Sequence, residues 1–307
     1  MKLELNRLRN SLRGLIAVSV TPFKRDLSLD EEGVRSVARF LLESGLDAIV
    51  PCGSMGEWNS LTDEEVKRII EITVDEVNGK IPVIAGVSST SSIAAARRAK
   101  MAEDLGADGL LVLPAFYSKY NFLGVLRHYE IVASSSNLGI IIYNFPDALG
   151  YEIPAHDLDV MIEKIPSIVG IKDSTTDMAE FFSRLNLLGD RVAVLLGNEP
   201  YCFYGLMAGS PGVFTSMANF NPYIMRRLYN AVFDGKIDEA RNIYRVMSRY
   251  FEVRRRLRRP AALVKQAMIF SGHRIEPTVR PPLTELEEKD KELVKEIVAE
   301  LREFTHI

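Results

Sequence analysis

Ile168-Val169-Gly170-Ile171-Lys172-Asp173-Ser174 is a short apolar run of strand character that ends on a lysine. Its apolar residues follow one another without polar alternation, the pattern of a parallel strand covered by helices. A strand buried on both faces has little reason to end on Lys. At the mouth of an apolar cavity, however, desolvation disfavours the ammonium, lowers its pKa and yields a nucleophile for carbonyl carbon. About one βα unit earlier, Ile140-Ile141-Ile142-Tyr143, followed by Asn144-Phe145-Pro146, ends on a phenol. A lysine and a tyrosine at the same end of neighbouring parallel strands are the minimum equipment for Schiff-base chemistry. Each has a plainer reading alone, a solvated strand end for Lys172 and an amphipathic cap for Tyr143. The pair in register favours function.

Outward from this pair, similar runs recur at Leu15–Val20, Ala48–Pro51, Pro82–Ala85, Gly109–Leu113, Val192–Leu196 and Gly212–Thr215, giving eight in all. Helical patterns lie between them. Thr62-Asp63-Glu64-Glu65 is a capping box that opens a helix with Val66, Ile69, Ile70, Thr73, Val74 and Val77 on one stripe. Ser92 to Leu105 is Ala-rich and helical, and Gly45, Gly106 and Gly209 read as C-cap glycines just before the next strand. Eight alternating units predict an α/β fold, a (β/α)8 TIM barrel. After Asn219-Phe220-Asn221-Pro222 strand signals cease. The expected organisation is a barrel with the active site over residues 1–221 and a C-terminal helical region over 222–307. Arg254-Arg255-Arg256-Leu257-Arg258-Arg259 reads as a solvated or inter-subunit face, with a phosphate site as the lesser reading.

Composition narrows the function. The 307 residues are 47% hydrophobic and 26% charged, as in a soluble globular protein with a large core. A net charge of −3 leaves no electrostatic footprint for nucleic acid. No apolar run is long enough to span a bilayer, and Met1-Lys2-Leu3-Glu4-Leu5 does not read as a signal peptide. Cys52 and Cys202 lack metal-ligand spacing and fit reduced thiols in a cytoplasmic protein. His128, His156, His273 and His306 are scattered, so no metal site is expected.

A barrel of this kind works at the C-terminal ends of its strands. Those ends carry Gly53-Ser54-Met55-Gly56-Glu57, Tyr117, Tyr143, Lys172, Gly197-Asn198-Glu199 and Ser216. The two glycines around Ser54 and Met55 permit a nest of backbone N–H groups for a carboxylate. That loop lacks the G-K-[ST] ending of a nucleotide-binding P-loop.

Gly53-Ser54-Met55-Gly56-Glu57, Tyr143-Asn144-Phe145-Pro146 and Ile171-Lys172-Asp173 stand in the order and spacing of the pyruvate-dependent class I aldolases, the dihydrodipicolinate synthase / N-acetylneuraminate lyase family. Thr21-Pro22-Phe23 and Arg280-Pro281-Pro282-Leu283 also resemble that family, and the likeness spans essentially the whole chain. It implies that Lys172 forms a covalent Schiff base with the keto carbon of pyruvate, with no other cofactor. It implies that Tyr143 shuttles a proton, that Ser54 orients the phenol and helps hold the pyruvate carboxylate, and that Gly53 and Met55 belong to the same carboxylate-binding loop. Tyr117 resembles a tyrosine that completes a proton relay across a subunit interface. Val213 lies at a position whose backbone carbonyl lines the pyruvate pocket. A homotetramer built from dimers is implied as well.

Departures from the family pattern bear on the substrate. The synthase branch has an arginine two residues after the proline of its Y-N-x-P motif, and Ala148 stands there in this chain. Without it a buried substrate carboxylate would be unpaired, which is costly. Met55 replaces the usual second hydroxyl of the strand-two pair. The sialic-acid lyase branch has an acidic pair after the strand-seven glycine, where this chain has Gly197-Asn198-Glu199-Pro200. Lys172-Asp173 looks more like the branch that cleaves 2-keto-3-deoxy sugar acids such as 2-keto-3-deoxygluconate to pyruvate and an aldehyde. Asn198, Glu199 and Ser216 would then bind polyol hydroxyls. The alternatives are dihydrodipicolinate synthase or N-acetylneuraminate lyase activity, another pyruvate-forming lyase or dehydratase and, in other classes, a non-catalytic barrel that binds a keto acid as a sensor or scaffold, or a phosphate-binding barrel of unrelated chemistry.

Overall fold

The computed structural model describes residues 2–303, so His306 and the end of the 222–307 region lie outside it. Eight strands form the centre: β1 (Gly14–Val18), β2 (Ala48–Val50), β3 (Ile84–Gly86), β4 (Gly109–Val112), β5 (Gly139–Asn144), β6 (Ile168–Asp173), β7 (Ala193–Leu196) and β8 (Gly212–Thr215). The sheet runs β2-β1-β8-β7-β6-β5-β4-β3 with every pairing parallel. The remaining seam, β2 to β3, is joined by a parallel bridge between Ile49 and Val83 and by the Gly86 N–H bonding to the Pro51 carbonyl. The result is the expected TIM barrel.

Each apolar run holds a strand, and every residue of β5 and β6 is buried. The third strand begins at Ile84, two residues later than the run. Pro82 has no N–H to offer a ladder, and only its carbonyl is used, accepting from Ile49. The capping box forms as expected: Thr62 Oγ1 accepts from the Glu65 N–H at 3.2 Å, and Glu65 Oε2 accepts from the Thr62 N–H at 3.0 Å.

The floor of the barrel is filled from the N-terminal helix, Lys2–Ser11. A Cβ on Gly109 would lie 2.7 Å from Leu8 Cδ2, and one on Gly139 would lie 2.8 Å from the same atom. Leu12 meets Gly170 in the same way, at 2.9 Å from Leu12 Cδ1. Glycine at these strand positions makes room for the plug.

Beyond β8, the helix Pro222–Phe233 is capped by Asn221 and packs on β1. The helices Ile237–Leu257, Pro260–Phe270 and Glu288–Arg302 follow. The helix Pro260–Phe270 is apolar and buried nearly all round. Its Lys265 is fully buried and bonds Glu57 Oε1 at 2.5 Å and the Thr278 carbonyl at 2.7 Å. The other Glu57 oxygen accepts from the Arg280 N–H at 2.9 Å. The Lys265 ammonium and the Arg280 guanidinium both pack on the Phe23 ring, at 4.5 and 4.2 Å from its centroid. This cluster ties the C-terminal helices to the turn after β2. Among the described residues no helix is long and apolar enough to cross a membrane, and no group of three His, Cys, Asp or Glu is placed to hold a metal ion.

Candidate active site

A cavity of about 250 Å³ opens at the C-terminal ends of the strands. Its wall includes Lys172, Tyr143, Ser54, Met55, Gly197, Asn198, Glu199 and Ser216, so eight residues singled out from the sequence meet in one place. Strand register accounts for the central pair. β5 and β6 place Tyr143 opposite Lys172, and the lysine Nζ lies 3.8 Å from the tyrosine ring centroid and 5.1 Å from that of Phe214. Lys172 is 3% exposed and Tyr143 5%.

The electrostatics follow from that burial. Desolvation is the main cause holding the Lys172 amine below its ordinary value, against the pull of the Tyr143 phenol. Burial pushes the Tyr143 phenol up, but the adjacent ammonium and hydrogen bonds from Ser54 and Ser174 outweigh it, so the phenol lies below its ordinary value. Ser54 Oγ is 3.4 Å from the Tyr143 hydroxyl. The turn that carries Ser54 closes on itself, with the Glu57 N–H bonding the Ser54 carbonyl at 3.3 Å while Glu57 sits at φ 54°. A buried amine nucleophile and a phenol tuned by it can together attack a carbonyl and move a proton.

Residues next to the pair turn outward and hold it in place. Asp173 is fully buried and accepts from Asn144 Nδ2 at 2.9 Å and Arg184 NH1 at 2.8 Å. The carboxylate after Lys172 therefore braces the ends of β5 and β6, and Asn144 of the Y-N-x-P motif serves the same brace. Gly197 lets β7 come close: a Cβ there would lie 2.4 Å from Ser174 Oγ and 2.9 Å from Lys172 Cγ.

Four residues picked out from the sequence lie outside the cavity wall. Tyr117 is 95% exposed, at φ 88°. Gly53 is buried under Val18, and Val213 is fully buried within β8. Ala148 is exposed on the short helix Pro146–Leu149, where its neighbour Asp147 lines the cavity instead. Glu199 does line the cavity, but its oxygens are heavily engaged. They accept from Thr215 Oγ1, from the Ser216 N–H and hydroxyl, from the Met217 N–H and from Arg254. It anchors the turn after β8, and Asn198 bonds the Thr175 carbonyl at 3.3 Å.

The arginine run is not wholly the solvated face expected of it. Arg255, Arg256 and Arg258 are exposed, but Arg254 and Arg259 line the cavity. Helix phase is the reason. Ile243, Met247 and Tyr250 form the buried stripe of the helix Ile237–Leu257, and Arg254 continues their 4-3-4 spacing. That spacing is the signal by which the sequence could have separated Arg254 from its neighbours. Ser174, two residues after Lys172 and so on the same face of its strand end, could have been found by the period of two.

The model of the dihydrodipicolinate synthetase family matches residues 11–301. Among curated relatives, 4-hydroxy-tetrahydrodipicolinate synthase of Syntrophus aciditrophicus is 35% identical over 93% of this chain and 97% of its own length. The enzyme of the same name from Pelobacter propionicus is 35% identical over 76% of this chain and 79% of its own. Among solved structures, YagE of E. coli K12, a prophage protein of the dihydrodipicolinic acid synthase family in complex with pyruvate, superposes with a TM-score of 0.91 at 27% identity, covering 95% of this chain and 99% of that one. The dihydrodipicolinate synthase of Aquifex aeolicus gives 0.90 at 30% identity, covering 96% and 99%.

Proposed function

Because the chain belongs to the dihydrodipicolinate synthetase family, a family of pyruvate-dependent aldolases, we propose that it is a class I aldolase that reversibly cleaves a 2-keto-3-deoxy sugar acid to pyruvate and an aldehyde. The observation that carries the reading is the buried Lys172 amine stacked at 3.8 Å on Tyr143, in one cavity with Ser54.

In the cleavage direction the Lys172 amine adds to the C2 ketone, and loss of water leaves an iminium. Tyr143, hydrogen-bonded to Ser54, takes the proton from the C4 hydroxyl. The C3–C4 electron pair then flows into the iminium, the aldehyde departs and an enamine remains. Protonation at C3 and hydrolysis release pyruvate and the free amine. The turn with Ser54 and Met55 holds the pyruvate carboxylate. Tyr117 completes the proton relay in the site of a neighbouring subunit, in keeping with its exposure in the single chain and with a homotetrameric assembly. Asn198 and Ser216 face the hydroxyls of the substrate.

The second reading is 4-hydroxy-tetrahydrodipicolinate synthase, the activity for which the relatives are named. Against it stands Ala148, which leaves the Y-N-x-P turn without a cation. A sensor that binds a keto acid without turnover is the reading of another class.

The test is incubation with pyruvate and sodium borohydride, followed by peptide mass spectrometry. A reduced pyruvyl adduct on Lys172, together with pyruvate release from 2-keto-3-deoxygluconate or a related sugar acid, is expected. Folded protein with Lys172 unmodified overturns the aldolase reading. An adduct without turnover of any sugar acid or of aspartate semialdehyde favours the sensor.

A further inference from the structure

The cavity wall holds two guanidiniums, Arg254 and Arg259, that no part of the Schiff-base cycle uses. Both come from the C-terminal helices, not from a strand end. Arg259 is tied down by the Glu285 carbonyl at 2.8 Å and by Asp290 at 3.6 Å. Arg254 is different. Among the described residues its polar partner is Glu199, at 3.1 Å. Glu199 does not need it: Thr215, Ser216 and Met217 already give that carboxylate four hydrogen bonds, about the number its lone pairs accept. One contact leaves most of the five-donor fork of a guanidinium uncommitted, and the Arg254 side chain keeps 26% exposure while lining the cavity. It also stands close enough to Lys172 to help depress the amine. On the Y-N-x-P turn the cavity meets Asp147, an anion that repels a carboxylate from that side.

We propose that Arg254 forms a second carboxylate subsite, so that the substrate is a 2-keto-3-deoxy sugar acid with a carboxylate at its far end as well. The inference rests on the aldolase reading above. One carboxylate sits in the Ser54 turn and the other on the Arg254 fork. When the C3–C4 bond breaks, its electrons pass to the iminium and the C4 hydroxyl proton to Tyr143. The distal carboxylate leaves on the aldehyde, which for a six-carbon diacid is 2-hydroxy-3-oxopropanoate.

The experiment runs the reaction in the condensation direction, with pyruvate and a panel of aldehydes: glyceraldehyde, 2-hydroxy-3-oxopropanoate, succinic semialdehyde with butanal as its uncharged counterpart, and glyceraldehyde 3-phosphate. A charge-assisted bidentate contact predicts a kcat/KM about 10- to 100-fold higher for the carboxylated member of each pair. In Arg254→Gln that ratio falls towards one, and Arg254→Lys recovers part of it. No carboxylate preference in the wild type, a preference for the phosphate ester, or a ratio that survives in folded Arg254→Gln each overturns the subsite. Borohydride trapping of pyruvate is read on the same wild-type sample. An adduct on Lys172 without carboxylate preference sinks the subsite alone, whereas no adduct sinks the aldolase reading. Should Arg254→Gln fail to fold, Arg254→Lys is read in its place: it keeps the charge and loses the fork, so a folded Arg254→Lys with an undiminished ratio overturns the subsite.

Discussion

Lys172 and Tyr143 face each other in register across β5 and β6, with the lysine Nζ 3.8 Å from the phenol ring centroid. The contact places an amine and an acid/base on one wall, and it makes each group's proton affinity depend on the other. Tyr143→Phe keeps the ring beneath the amine and removes the hydroxyl. Turnover is expected to drop about 10²–10⁴-fold, measured as pyruvate release, while borohydride still traps a pyruvyl adduct on Lys172. Full turnover in this variant would remove Tyr143 from the proton transfer.

Burial lowers the Lys172 amine, so the free nucleophile is present at lower pH than an ordinary lysine allows. The rate of adduct formation with pyruvate should climb with pH and reach its midpoint below the usual lysine value of about 10.4. Single-turnover trapping across pH measures it. A midpoint at the ordinary value would mean that the amine is solvated.

The same desolvation carries a stability consequence. A folded-state amine below its unfolded value costs stability while the lysine is protonated. The cost is full below the folded value and vanishes as pH rises past the unfolded one. Lys172→Met should therefore abolish adduct formation and stabilise the fold by about 0.5–2 kcal/mol at neutral pH. The gain should shrink towards high pH, as read from melting temperatures at several pH values. A variant less stable than wild type at neutral pH contradicts this.

Ser54 touches the Tyr143 hydroxyl at 3.4 Å, a long bond. Ser54→Ala is expected to lower kcat/KM for pyruvate about 10-fold and to shift the descending limb of the pH profile upward, because one of the bonds that lowers the phenol is lost. An unchanged profile would leave Ser54 with carboxylate binding alone.

How much of this was legible in the sequence follows from which constraints are local. β5 and β6 are buried on both faces, so they read as unbroken apolar runs, and their last residues, Tyr143 and Lys172, stood out by contrast. Ser54, Asn198 and Ser216 follow from reading the strand ends as the working face of a barrel. Arg254 does not, because a run of arginines has no visible phase until Tyr250 and Met247 show which side of the helix is buried. Asp173 is a different case: the period of two turns it away from Lys172, onto Arg184 at 2.8 Å, and its part in bracing the strand ends depends on that distant partner.

Glu57 and Lys265 are both fully buried and 2.5 Å apart. Lys265→Met strands the Glu57 charge in the interior, and a loss of about 3–5 kcal/mol is expected in chemical denaturation. The double variant Glu57→Gln/Lys265→Met removes both charges and should recover much of that loss. A loss in the double variant equal to the sum of the separate Glu57→Gln and Lys265→Met losses would show that the pair is not coupled.

The seam between β1 and β8 sets the order in which the molecule can be completed. Leu15 pairs with Val213 and Ile16 with Phe214, so the barrel's first strand, once made, waits for its last. At about 5–20 residues per second the interval is roughly 10–40 s. Throughout it β1, whose side chains are all apolar, presents one edge of unpaired backbone N–H and C=O groups, the kind of edge that templates aggregation. The chain's period of greatest exposure to chaperones thus falls before residue 212 emerges, and a ribosome stalled short of β8 holds an open sheet.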